Sequence, residues 1–357
     1  METQASIVID NGSSSIKCGF AGEEEPKAII SNVFSPSTGK IGQDDLPDNI
    51  HPIQNGQIKN MDVLENVWKY TFSEGLKVQS AARNVLVTIP IKVLKHEKEV
   101  ITQFMFETFS VENFYISVQP SLTMYSVGST TGVAIDSRED LTTILPVVDG
   151  FHMPYTASTI NYGGGAVTDY LIQLLSSKGV DLRTYDNKKF VKDIKEKSAY
   201  VCFDYDTEIS NMKTKEKQFT FPDGSKLSIG KELFMCSESI FKPELRGIQE
   251  CGLQMYIENS IKKIMPYETR KSLYSSIVLS GGNTLFQGFP SRISEEIKML
   301  APSSMSNKVK VVAENERQNG SWLGGSNLAN LGSFQSVWIH LAEYQESGPS
   351  IINRKSI

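Results

Sequence analysis

GVAIDSREDLTTILPVVDG, residues 132–150, is the stretch on which the reading of this chain turns. Apolar residues run from Gly132 to Ile135 and reach Asp136. They resume at Leu141 and continue to Val148. Between them stand Ser137, Arg138, Glu139 and Asp140. The pattern is strand, turn, strand, in the form that holds a phosphate. Yet the turn carries bulk and negative charge where a phosphate turn ordinarily carries glycine.

A partner for this hairpin lies near the start of the chain. SIVIDNGSSSIKCGFAG is apolar at Ile7, Val8 and Ile9, turns through Asp10–Ser14, and returns from Ile16 to Phe20. Asp10 and Asp136 occupy matching positions, which predicts a duplicated domain. Strands and helices alternate through both halves. NVLVTIP reads as a buried strand, HEKEVITQFMFETFS as an amphipathic helix, and NFYISVQ as a strand ending at Gln119. NYGGGAVTDYLIQLLSSKG places a glycine turn before a helix, and SIVLSGGNTLFQGF places one after a strand. KQFTFPDGSKLSIG reads as a hairpin turned at Pro222-Asp223-Gly224, and residues 33–60 as loop and short turns. The class is α/β.

At 357 residues, two domains are expected. A net charge of -5 without a long basic run argues against nucleic acid as a partner. No apolar stretch reaches the ~18 residues that span a bilayer, so no membrane partner is expected. The four cysteines form no CxxC and the four histidines are scattered, which argues against zinc. The first residues lack a basic n-region and an apolar h-region. A cytoplasmic protein with free thiols is therefore expected.

Three glycine turns are expected at 163–165, 281–282 and 324–325. Glycine lets a backbone approach a ligand, and amides at a helix start carry partial positive charge. Gly12, Ser13, Ser14 and Ser15 offer amides and hydroxyls to phosphate oxygens, with Lys17 as a point charge. Asp10 and Asp136 suit a magnesium ion held through its waters. Gln119 is a candidate to orient an attacking water.

The segments DNGS…KCGFAG, MFETF, STTGVAIDS, TDYL, KDIKEK, FPDG…LSIG, VLSGGNT…GF, EEIKMLAPSSM, SWLGGSNLANLGSFQSVWI and EYQESGPSI…RK give the chain a resemblance to the actin family from end to end. The resemblance implies two related α/β domains around a central nucleotide cleft, the superfold shared with sugar kinases and chaperone ATPases. It implies ATP or ADP with magnesium as cofactor. The outer domain would comprise 1–126 plus 320–357, with a reduced subdomain at about 33–51, and the inner domain 127–319. The first phosphate hairpin falls on Gly12–Ser15 with Lys17, and the second on Asp136–Asp140. The water-positioning glutamine falls on Gln119. The adenosine pocket falls on Gly164, Lys195, Glu196, Gly281, Gly282 and Phe286. A partner cleft falls on Tyr125, Gly128, Thr130, Leu328, Leu331 and Val337.

Four departures from the family pattern stand out. Both glycines of the second hairpin are gone, so Arg138 and Asp140 would crowd a terminal phosphate. Thr143 replaces the histidine that helps relay protons. The long loop that plugs into the next subunit of a filament is cut to Phe34–Asn49, and the acidic N-terminal cluster is reduced to Glu2. Near the nucleotide, Gln318 replaces a lysine and Gly165-Ala166 a charged pair. The expected function is a structural subunit of a cytoskeletal or ciliary assembly. Nucleotide binding, weak or absent hydrolysis and poor self-polymerisation go with it, and actin or actin-binding proteins are expected partners. The alternatives are a polymerising ATPase and a nuclear subunit of a chromatin complex.

Overall fold

The computed structural model describes residues 4–179, 182, 184–210, 216–221 and 224–355. Two large sheets organise it. In the first, the strands lie in the order Ile339–His340, Asn113–Val118, Asn84–Ile89, Ile7–Asn11, Ser15–Phe20, Ala28–Ser31. In the second, the order is Phe151–His152, Thr142–Val148, Gly132–Ser137, Ile277–Ser280, Val311–Val312, and Ser158–Ile160 also pairs with Thr142–Val148.

The repeat seen in the sequence is a repeat of topology. Ile7–Asn11 pairs antiparallel with Ser15–Phe20 and parallel with Asn84–Ile89. Gly132–Ser137 pairs antiparallel with Thr142–Val148 and parallel with Ile277–Ser280. Asp10 stands between Lys17 and Thr88, and Asp136 between Thr143 and Ser280. A parallel neighbour requires a long crossover, which buries the strand on both faces. Ile7, Val8, Ile9, Val133, Ala134 and Ile135 are accordingly fully buried.

Helices cover the sheets with the expected apolar faces. Met61–Tyr70 buries Val63, Val67 and Trp68, and its first turn is capped by Asn60 Oδ1, which accepts from the Val63 amide at 3.0 Å. Phe289–Leu300 buries Ile293 and Ile297.

Two local expectations are corrected. The strand Asn113–Val118 stops one residue early, and Gln119 opens the helix Gln119–Ser126, with Pro120 able to start a helix because its missing N–H is not needed there. Gly324 and Gly325 form no turn; they lie inside the helix Gly320–Asn330. A Cβ on Gly324 would sit 1.8 Å from the Leu122 carbonyl oxygen, and one on Gly325 would sit 2.9 Å from Val8 Cγ1. These glycines let the helix lie directly on Gln119–Ser126.

The shortened segment after Val33 is a compact turn. Phe34 bridges to Ile41 and Ile50. Asp48 accepts from the Ser35 hydroxyl at 2.7 Å and the Ser37 amide at 2.8 Å, which holds its carboxyl at about 2. A small hairpin, Ile53–Gln54 with Gln57–Ile58, follows. The strands Lys217–Thr220 and Lys226–Ile229 pair as expected. Pro222 and Asp223 of their turn, and Glu2, lie outside the described residues. Among the described residues, no helix is long and apolar enough to cross a membrane.

Candidate functional site

The two sheets present their hairpin turns to a common cavity of about 330 Å³. Its wall includes Gly12, Ser13, Ser14, Ser15 and Lys17 from the first hairpin. Gly164, Lys195, Glu196, Gly281, Gly282 and Phe286 line the same space. Residues up to 307 positions apart, from Gly12 to Asn319, thus meet in one place. Sequence reasoning missed Ile29, Asn283, Leu285 and Asn319 on this wall. No motif marked them, because they arrive through the chain's path.

Backbone contacts within the wall fix its shape. The Gly12 amide closes its turn on the Ser15 carbonyl at 3.0 Å. The Gly164 amide is taken by the Arg138 carbonyl at 2.8 Å, and the Gly165 amide by the Glu139 carbonyl at 2.8 Å. Gly163 permits that approach, since a Cβ there would lie 2.3 Å from the Arg138 oxygen. Lys195 is buried and donates to the Gly164 carbonyl at 2.8 Å. Burial lowers its pKa, against the pull of Glu139 and Glu196. Lys17 donates to the Gln318 carbonyl at 2.6 Å.

Arg138 decides the chemistry. Its Nε donates to Asp136 Oδ2 at 2.6 Å, and its Nη1 to Asp10 Oδ2 at 3.1 Å. One guanidinium therefore ties the two matching aspartates of the repeat together. Both are almost fully buried, Asp10 at 1% exposure and Asp136 at 3%. Asp10 also accepts from the Thr88 hydroxyl at 2.6 Å and from Gln119 Nε2 at 3.1 Å. Gln119 Nε2 reaches the Asn11 carbonyl as well, at 2.6 Å, so its amide nitrogen is held inside this buried network. Asp140 turns away from the cavity and accepts from the Asn55 amide at 3.1 Å. The expected crowding by Asp140 is thereby corrected: its carboxylate bridges the two sides of the cleft. Lys92 makes a second such bridge to Asn161 Oδ1 at 3.1 Å.

Burial raises the Asp10 carboxyl, but Arg138, Lys17 and the Thr88 hydroxyl outweigh it and hold the group below its ordinary value of 3.8. A depressed carboxyl contributes stability above its unfolded pKa, and that contribution is lost as pH falls through the folded value. Stability is therefore expected to drop on acidification below about pH 4. Chemical denaturation across pH 2–7, wild type against Asp10→Asn, checks this; the variant is expected to show the flatter acid limb.

The contacts of Asp10 and Asp136 bear on the magnesium ion expected there from the sequence. Asp136 Oδ2 and both Asp10 oxygens, which would hold its water shell, already accept from guanidinium N–H groups. Two carboxylates already face two cations, Arg138 and Lys17. A divalent ion ~4 Å from the guanidinium would meet a repulsion of about 8 kcal/mol at an effective dielectric of 20. The one acceptor left over is Asp136 Oδ1, buried without a partner. Beside it lies a space of about 20 Å³, walled by Gln119, Thr143, Asp136 and Arg138, which is room for a single water. The residues present do not fit a divalent ion at this point.

Three of the six expected partner-cleft residues share one cluster. Tyr125, Leu328 and Val337 are half-buried and pack against the apolar cluster of Val8, Leu122, Trp322 and Trp338. Leu331 is 48% exposed, and Gly128 and Thr130 are exposed as well.

A doubled sheet and hairpin around a common cavity define an α/β protein of two related halves. A family model described as Actin matches residues 1–357. The chain belongs to the actin family. That family generally binds ATP or ADP with magnesium.

Proposed function

We propose that this chain is a structural subunit of a cytoskeletal or ciliary assembly in the cytoplasm, holding ATP or ADP in its cleft with little or no hydrolysis. It does not form filaments alone. Its partners are other proteins of that assembly, including actin or actin-binding proteins, and neither nucleic acid nor membrane.

The observation that carries this reading is the Arg138 bridge between Asp10 and Asp136. It stands between the cavity and the one-water space beside Gln119. A water there would have to reach a terminal phosphate past a fixed guanidinium. Thr143 lines that space and cannot accept a proton as a general base does. The compact turn 34–49 supports the second half of the reading, because it leaves no long loop to reach a neighbouring subunit. A nucleotide present at 100 times its Kd still adds about 2.7 kcal/mol of stability without being hydrolysed.

The test is light scattering of the pure protein with ATP in polymerising salt, with released phosphate measured alongside. No rise in scattering and no phosphate above the buffer rate are expected. Filaments with coupled phosphate release would overturn the proposal in favour of a polymerising ATPase. Recovery of the chain in a chromatin complex would favour the nuclear alternative.

A further inference from the structure

We propose that the Arg138 guanidinium is the resident cation of the Asp10–Asp136 pair, so that the cleft binds its nucleotide without a divalent metal. The inference rests on the nucleotide reading of the cavity and adds how the phosphate chain's charge is met.

Three observations carry it. First, the guanidinium holds both carboxylates at once, through Nε on Asp136 and Nη1 on Asp10. A planar fork suits this task better than a point charge and stays protonated at any pH of interest. Second, the polarity seen from the cavity is reversed relative to a magnesium site. Arg138, Lys17 and Lys195 are on its wall together with Glu139 and Glu196, so cations outnumber carboxylates there, while Asp10 and Asp136 are not on it. A phosphate chain entering there meets cations directly and needs no metal to shield it from the aspartates. Among the described residues, Arg138 Nη2 has no acceptor, which leaves two N–H groups for a phosphate oxygen. Third, the backbone around Arg138 is fixed. Its amide donates to the Leu141 carbonyl at 2.9 Å, and its carbonyl accepts from the Gly164 amide at 2.8 Å. Ser137 Oγ is held by Thr142 and by Asn283 Nδ2, at 2.6 and 2.9 Å. The side chain is thus presented from a braced turn, and withdrawing it with no other cation in its place would strand two buried carboxylates.

Magnesium normally combines one or two carboxylates with waters and phosphate oxygens. Here those carboxylates are already matched. Removing the guanidinium would restore the acidic pair and, with it, a place for the ion.

The experiment is calorimetric titration of the wild-type protein with ATP, once in excess magnesium and once in excess EDTA. The expected Kd values agree within about twofold. Binding that is about tenfold or more tighter with magnesium would overturn the inference and leave the nucleotide reading standing. Absence of binding in both buffers would overturn both. Arg138→Gly is expected to create a magnesium dependence of about tenfold or more. Should that variant not fold, Arg138→Lys keeps a cation at the position and is expected to bind ATP equally in the two buffers. A magnesium requirement in Arg138→Lys equal to that of a metal-dependent site would also count against the inference.

Discussion

Arg138→Gly is expected to lower the stability of the fold by about 3–5 kcal/mol in EDTA at neutral pH, as measured by urea unfolding. Breaking a buried ion pair from one side leaves the other charge without compensation. Here two charges are left, because Asp10 and Asp136 are 1% and 3% exposed. Neither carboxylate can rotate to solvent: Asp10 is fixed by Thr88 and Gln119, and Asp136 lies in the centre of its sheet. Adding Asp136→Asn to the variant should recover part of the loss, since one of the stranded charges is then gone. A loss below about 1 kcal/mol would place the bridge with surface ion pairs and contradict the role given to it.

The second large effect is expected at Gly324. On helix propensity alone, Gly324→Ala should stabilise an interior helical position by about 0.5–1 kcal/mol. Packing reverses the sign. The added Cβ would lie 1.8 Å from the Leu122 carbonyl oxygen, a backbone atom that cannot step aside. Either the two helices separate or the backbone of Gln119–Ser126 shifts at Leu122, so a loss of about 3 kcal/mol or more is expected. Thermal unfolding of the variant checks this. Gly332→Ala is the control: a Cβ there has nothing within 4 Å, and little change is expected. Equal effects at the two sites would show that the close helix contact is not what the glycine is for.

The doubled hairpin was legible because its signal is local. Two apolar runs, an aspartate and a polar turn recur with nothing inserted, and the strands form where those runs lie. The cavity wall was legible for a different reason. Glycine turns mark close backbone approaches, and Gly281, at φ +88 with a Cβ only 2.1 Å from the Ser137 oxygen, is such a point. The same logic failed at Gly324. A glycine pair inside a helix and one in a turn look alike in sequence, and only the partner helix distinguishes them. Thr88 was missed as well. It holds Asp10 through its hydroxyl, but a threonine inside the apolar run NVLVTIP carries no local mark of that duty.

Arg138 is the instructive case. Its presence in the turn was plain, and so was its conflict with a phosphate. Its direction was not, because that depends on a carboxylate 128 residues earlier in the chain. Asp140 shows the same limit. Its charge was expected beside the phosphate, whereas the Asn55 amide draws it across the cleft. Side-chain direction in a turn is set by tertiary partners, and pairing across the repeat is what supplied them here.

The measurement that bears most directly on the account is the fate of bound ATP. Protein loaded with ATP, freed of unbound nucleotide, incubated, then denatured and resolved by ion exchange should release intact ATP near one per chain at every time point. ADP and phosphate accumulating together on the protein would contradict it, because Arg138 would then stand in a working hydrolytic site.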